Sequence, residues 1–291
     1  MMDTPALLNC EPLSLTRSIA EFPIGNIPLR QHQQTALAAT SLTATGAPSL
    51  SLHPHAWLAA ADLAALEAST TADTLVDASR APLAWRGATP DLQRILPAVA
   101  SFLIRYPWDL LRANEICVAG LEATVLLGEV HPSAVIDGLL HLGPGSRLLP
   151  GVFIEGNVVI GDNCRIGPNC YIRGNTSIGD ACHIGQAVEI KNCLILSRTN
   201  VGHLAYVGDS VLGEAVNFGA GTIVSNFRHD GKNHRSTVAG SLVDTGRRKF
   251  GAIIGDGVHT GIHTSIYPGR KLWPHTSTRP GEIVQHDLRE C

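Results

Sequence analysis

The stretch IEGNVVIGDNCRIGPNCYIRGNTSIGDACHIGQAVEI (154–190) decides the fold. Every sixth residue is an isoleucine: Ile154, Ile160, Ile166, Ile172, Ile178, Ile184 and Ile190. Backwards, the series continues through Leu148, Leu142, Ile136 and Val130. Forwards, after a slip of frame, it runs through Val201, Val207, Leu212, Phe218 and Val224, then resumes at Ile254, Thr260, Ile266, Leu272, Thr278 and Val284. Glycine often follows the aliphatic anchor, and a small residue such as Cys164, Cys170, Thr176 or Cys182 stands four after it. A period of six is neither the 2.0 of a strand nor the 3.6 of a helix. It fits a prism in which each short strand turns one aliphatic and one small residue inward, with glycine easing the corners. Three hexads close one coil, coils stack roughly 4.8 Å apart, and the region holds roughly seven of them. The fold class expected is mainly β, a left-handed parallel β-helix of hexapeptide repeats, preceded by a smaller mixed segment.

Composition shifts at the same boundary. Of 29 glycines, only Gly25, Gly46 and Gly87 precede Val118. Residues 1–118 therefore form one segment, mixed and partly helical, and 119–291 the β-helix. Helices are expected at HAWLAAADLAALEA (55–68) and across 89–115, capped by Thr89 and interrupted at Pro97 and Pro107. No Gly-rich phosphate loop occurs in that segment. Lys+Arg 22 against Asp+Glu 25 leaves a net charge of -3, which argues against a nucleic-acid partner. No run of about 18 apolar residues exists, so no membrane span is expected. The opening MMDTPALLNC carries no secretory pattern, and seven cysteines without a CxxC pair fit reduced thiols. A cytoplasmic protein is the expectation.

The repeat breaks between Val224 and Ile254, where SNFRHDGKNHRSTVAGSLVDTGRRKFGAI (225–253) leaves the prism. A long polar, basic excursion (225–250) on a rigid scaffold reads as functional. Arg173 and Lys191 follow inward anchors 18 residues apart, so they stack on one corner. A bound phosphate would relieve their repulsion.

VEIKN (188–192), GHLAYVGDSVLGEAVNFGAGTIVSNF (202–227) and DGK (230–232) resemble the glucosamine-1-phosphate N-acetyltransferase domain of bifunctional enzymes that make UDP-N-acetylglucosamine. NFGAGTI, SNFRHDGK and GRRKFGAIIGD look like the archaeal-type sugar-1-phosphate nucleotidylyltransferase/acetyltransferases. YPWDLLRANE (106–115) is similar to their linker helix, and SIAEFPIGNIPLRQHQ (18–33) to the start of a truncated nucleotidylyltransferase. The resemblance implies a homotrimer with sites at subunit interfaces, acetyl-CoA as co-substrate, no metal for acetyl transfer, and glucosamine 1-phosphate as acceptor. His203 matches the catalytic base, and imidazole titrates where an ammonium proton can be taken. Arg173 and Lys191 match the phosphate ligands; Tyr206, Asn217 and Asn226 match the amino-sugar contacts. Asn217 also reads as a corner residue, since asparagine tolerates left-handed angles. Lys232 matches the loop lysine, and Arg235 a further basic position. Phe227 replaces a tyrosine, Ile262 a CoA-contacting serine, and the family's C-terminal arginine has no counterpart before Cys291. The amides of Gly219, Ala220 and Gly221 are candidates to polarise the thioester carbonyl, and Arg247, Arg248 and Lys249 to hold CoA phosphates. The alternatives are a non-catalytic assembly module of a degenerate nucleotidylyltransferase, and an acetyltransferase with another sugar acceptor.

Overall fold

The computed structural model describes residues 9–41 and 50–289. Cys291 and the first eight residues, on which the thiol and leader expectations bear, lie outside these. Two compact units are present. Among the described residues, one comprises 9–16, 24–26 and 106–289, the other 17–23, 27–41 and 50–105.

The smaller unit has α1 (Leu29–Ala38) and α2 (Ala60–Ala68) beside a four-stranded sheet. Its strands lie in the order Leu50–Leu52, Pro82–Arg86, Thr74–Val76 and Ile95–Pro97. Leu63, Leu66, Leu75 and Leu83 form its core. Asp62, in the first turn of α2, accepts the amides of Val99, Ala100 and Ser101 and so pins a segment expected to be helical. Of the helix expected over 89–115, interrupted at Pro97 and Pro107, only the part from Pro107 is formed. Residues 95–97 pair with 74–76 as a strand, and the helix starts only at Pro107, as α3 (Pro107–Ala119). Proline at the first helical position lacks the N–H that would be orphaned there, so a helix start at Pro107 costs less than one running through it. Tyr106 and Asp109 complete a capping box. In the same way 55–68 yields helix only from Ala60, because Ala56–Trp57 pairs with Phe102–Leu103.

In the larger unit the chain winds into a parallel β-helix with three faces of eight, seven and eight strands. Face 1 contains Leu140–Leu142, face 2 Arg147–Leu148 and face 3 Phe153–Glu155, and each strand pairs in register with its counterpart one coil on. Every hexad anchor from Leu142 to Val284 is buried, as are the small partners Cys164, Cys170, Thr176 and Cys182. Burial pushes the Cys170 thiol up to about 12, so it packs as an inert small apolar group. The frame slips at two places, Ile190 to Ile195 and Val207 to Leu212. There the corner between faces 3 and 1 is one residue shorter, turned by Asn192 and Asp209 at φ 52° and 50°. Asparagine and aspartate accept that left-handed backbone better than other side chains do.

The faces differ outside. Face 1 is covered by α3, whose Asn114 donates to the Cys193 carbonyl and accepts from Ser177. Face 2 is polar, carrying Arg147, Arg165, His183, Asn200 and Asn217 in ladder. Face 3 carries the outward row Val135, Phe153, Tyr171, Glu189, Tyr206, Ile223, Ser265 and Ile283, in which four are exposed aliphatic or phenyl groups.

Candidate active site

His203 ends a face 2 strand (Asn200–His203) at the corner leading to face 3. Its side chain is exposed, and its ring has no hydrogen-bond partner among the described residues. Its carbonyl accepts the Gly221 amide of the next coil at 3.1 Å, which fixes the corner backbone while leaving the imidazole clear.

Arg173 and Lys191 stand in register on adjacent coils, as the spacing required. The repulsion expected between them is already relieved within the chain. Arg173 donates twice to Glu189 Oε1, at 2.9 and 2.6 Å, and Lys191 Nζ donates to Asp209 Oδ2 at 2.9 Å. Asp209 is the hub of this corner. It also accepts Asn192 Nδ2 at 2.9 Å and Asn226 Nδ2 at 2.5 Å. Asn226 Nδ2 donates in addition to the Tyr206 hydroxyl at 3.0 Å. Burial is the main cause that pushes the Tyr206 phenol above its ordinary range, so it stays protonated at neutral pH. Asn192 reaches on to Glu115 of α3 at 2.6 Å, and Glu115 also takes Arg247. Tyr206, Asn226, Lys191 and Arg247 thus hang on two carboxylates, Asp209 and Glu115. The residue pattern by itself marks neither. The five-residue spacings from Ile190 to Ile195 and from Val207 to Leu212 were the available signal, because they mark the corners that place Asn192 and Asp209.

The excursion is an ordered antiparallel hairpin, Arg235–Val238 against Ser241–Asp244. Buried His234 ties it back, its Nε2 donating to the Asn226 carbonyl at 3.0 Å. Lys232 and Arg235 line a cleft of about 860 Å³ with Arg270, Tyr267 and His286. His203 does not line it, nor do Tyr206 and Asn226. Asn217 is in a strand of face 2, in register with Asn200 and His259, and not at a corner; it shares a face with His203 and not with Asn226. Two of the three amides expected to polarise a thioester are engaged in the ladder: Gly219 donates to Thr260 and Gly221 to His203. Of the three, the Ala220 N–H alone has no acceptor among the described residues. Arg247 is held by Glu115 and Arg248 by the Gly231 carbonyl, and Lys249 is exposed.

The described cluster therefore falls at two corners of face 3. His203 and residues 219–221 lie at the one shared with face 2, and Arg173, Lys191, Asp209 and Asn226 at the one shared with face 1. Within one coil the turn at 204–205 and the three-residue strand Tyr206–Gly208 separate them.

Residues 154–276 match the model of the GMPPB C-terminal domain. A bifunctional sugar-1-phosphate nucleotidylyltransferase/acetyltransferase of Sulfurisphaera tokodaii is 39% identical over 182 residues, which are 62% of this chain and 45% of that protein. A bifunctional protein GlmU of Methanococcus maripaludis is 46% identical over 187 residues, covering 64% of this chain and 45% of its own. The chain thus spans less than half the length of these curated relatives. Among solved structures, a GDP-perosamine N-acetyl transferase mutant from Caulobacter crescentus, in complex with CoA and GDP-perosamine, is 18% identical with a TM-score of 0.25, covering 65% of this chain and 64% of that one.

Proposed function

We propose that the β-helix transfers acetyl from acetyl-CoA to the amine of an amino-sugar 1-phosphate, glucosamine 1-phosphate foremost, in nucleotide-sugar synthesis, and that each site is shared between copies of the chain. The observation that carries this reading is the Tyr206–Asn226–Asp209–Lys191 network, a cluster of hydroxyl, amide and cation that a purely structural corner has no need of. Such groups suit a phosphorylated sugar: Lys191 and Arg173 for the phosphate, Asn226 and Tyr206 for ring hydroxyls.

Acetyl-CoA supplies the activated carbonyl. His203 takes a proton from the ammonium, the free amine attacks the thioester carbonyl, a nitrogen–carbon bond forms and the carbon–sulfur bond breaks; the second proton lost by the nitrogen neutralises the departing CoA thiolate and the first passes to solvent. The Ala220 N–H, which has no acceptor among the described residues, would serve the developing oxyanion. Because His203 and the phosphate corner lie at opposite ends of face 3 in one chain, a neighbour's corner would close the site. The four exposed apolar side chains of face 3 support association, since face 2 is polar and α3 packs against face 1. A closed ring of three copies would set each His203 corner against the excursion of the next, carrying Lys232 and Arg235.

The test is a release assay for free thiol, with purified protein, acetyl-CoA and a panel of amino-sugar 1-phosphates. Glucosamine 1-phosphate should give the highest turnover, and the product should carry acetyl on nitrogen. No release with any acceptor refutes the reading and leaves an assembly module.

A further inference from the structure

Asp209 is 3% exposed and lies at a left-handed corner, with φ 50°. A carboxylate has only acceptors to offer. The amide facing it must therefore present Nδ2, which settles which way round the Asn226 side chain lies. That same Nδ2 donates its second hydrogen to the Tyr206 oxygen at 3.0 Å. Two consequences follow from counting hydrogens. Asn226 Oδ1 is left with its acceptor capacity, and the Tyr206 hydroxyl, already accepting, keeps its own hydrogen to give elsewhere.

We propose that Asp209 is a positioning residue that sets hydrogen-bond polarity: it fixes Asn226 as an acceptor and Tyr206 as a donor toward the bound amino sugar. This rests on the acetyltransferase reading above. A sugar hydroxyl can meet both groups at once, donating to Asn226 and accepting from Tyr206. Lys191, held by the same carboxylate at 2.9 Å, is thereby placed on a shared anchor with them.

The experiment compares the full-length protein with Asp209→Asn and with the exchange variant D209N/N226D. Asparagine tolerates the left-handed corner at 209, so the single variant can fold. The exchange variant keeps a carboxylate near Lys191 and the same net charge. It sets an acceptor-only group against Tyr206, however, so that hydroxyl must donate inward. Asp209→Asn should raise the Michaelis constant for glucosamine 1-phosphate about tenfold or more, the scale of one misdirected buried hydrogen bond, and leave that for acetyl-CoA within about twofold. The exchange should recover the thermal stability lost in the single variant and not the Michaelis constant. If the exchange restores the Michaelis constant, or Asp209→Asn leaves it unchanged, Asp209 only balances charge and the proposal fails.

Absence of acetyl transfer in the wild type refutes the functional reading instead. The polarity is then read by NMR on protein with isotope-labelled asparagine. Both Asn226 Nδ2 hydrogens protected from exchange in the wild type and released in Asp209→Asn sustain the proposal; unprotected hydrogens in the wild type overturn it.

Discussion

Asn114→Ala probes how α3 is stitched to the β-helix. The side chain is fully buried and makes four hydrogen bonds. Its Oδ1 accepts the Gly25 amide at 2.9 Å and the Ser177 hydroxyl at 2.7 Å. Its Nδ2 reaches the Asn175 and Cys193 carbonyls at 3.3 and 3.4 Å. The two short bonds contribute about 1 kcal/mol each, and the Gly25 N–H and Ser177 O–H left without an acceptor add about 1 kcal/mol more. The longer pair adds little. Asn114→Ala should therefore cost about 3 kcal/mol, which for a unit of this size lowers Tm by roughly 6–12 °C. Ser177→Ala removes one bond and should cost about 1 kcal/mol, with a coupling of similar size in the double variant. Thermal and urea unfolding measure all three. Glu115 is the next residue, so a loosened α3 also frees Asn192 and Arg247, and turnover should fall along with stability. A loss below about 1 kcal/mol for Asn114→Ala would show that the helix does not depend on this side chain, and the account of its docking would be wrong.

Three further outcomes are expected. His203→Ala should lower turnover by about 100-fold or more, the usual loss for a general base, with the assembly intact by light scattering; near-normal turnover removes His203 from the chemistry. Arg173→Ala and Lys191→Ala should each raise the Michaelis constant for the phosphorylated acceptor and leave that for acetyl-CoA nearly unchanged, while equal effects on both would deny the corner a phosphate. In the smaller unit, burial, followed by the neighbouring His53, holds the His55 imidazole down, from 6.5 to about 4. The unfolded chain therefore binds the extra proton between those values. The stability of this unit should be complete above about pH 6.5 and fall as the pH drops toward 4. His55→Phe should flatten that part of a Tm–pH curve, and an unchanged slope would assign it to other groups.

The β-helix was legible because its constraint is local and periodic: each anchor from Ile154 to Ile190 fills the same inward place, so one hexad predicts the next. Stacking of Arg173 on Lys191 followed from the same arithmetic. The helix over 89–115 misled because its apolar content does not tell strand from helix, and pairing of 95–97 with 74–76 is a contact between distant residues. Asp209 and Glu115 escaped for a similar reason. A carboxylate among several gives no sign in sequence of which cation or amide it will face, and Glu115 reaches Asn192 across 77 positions. The Gly219–Gly221 amides read as free donors because a glycine pattern does not reveal that the neighbouring coil already takes two of them.

The central claim is a site built from two chains, and mixed assemblies test it most directly. His203→Ala and Lys232→Ala proteins, each nearly inactive, would be unfolded and refolded together, and the mixed species isolated by differential tags. Release of CoA thiol from acetyl-CoA in the presence of glucosamine 1-phosphate is then measured per assembly. The account predicts that activity returns, because some interfaces pair an intact His203 from one chain with an intact Lys232 from the next. Verified mixed assemblies no more active than their parents would place both residues in one chain's own site and contradict it.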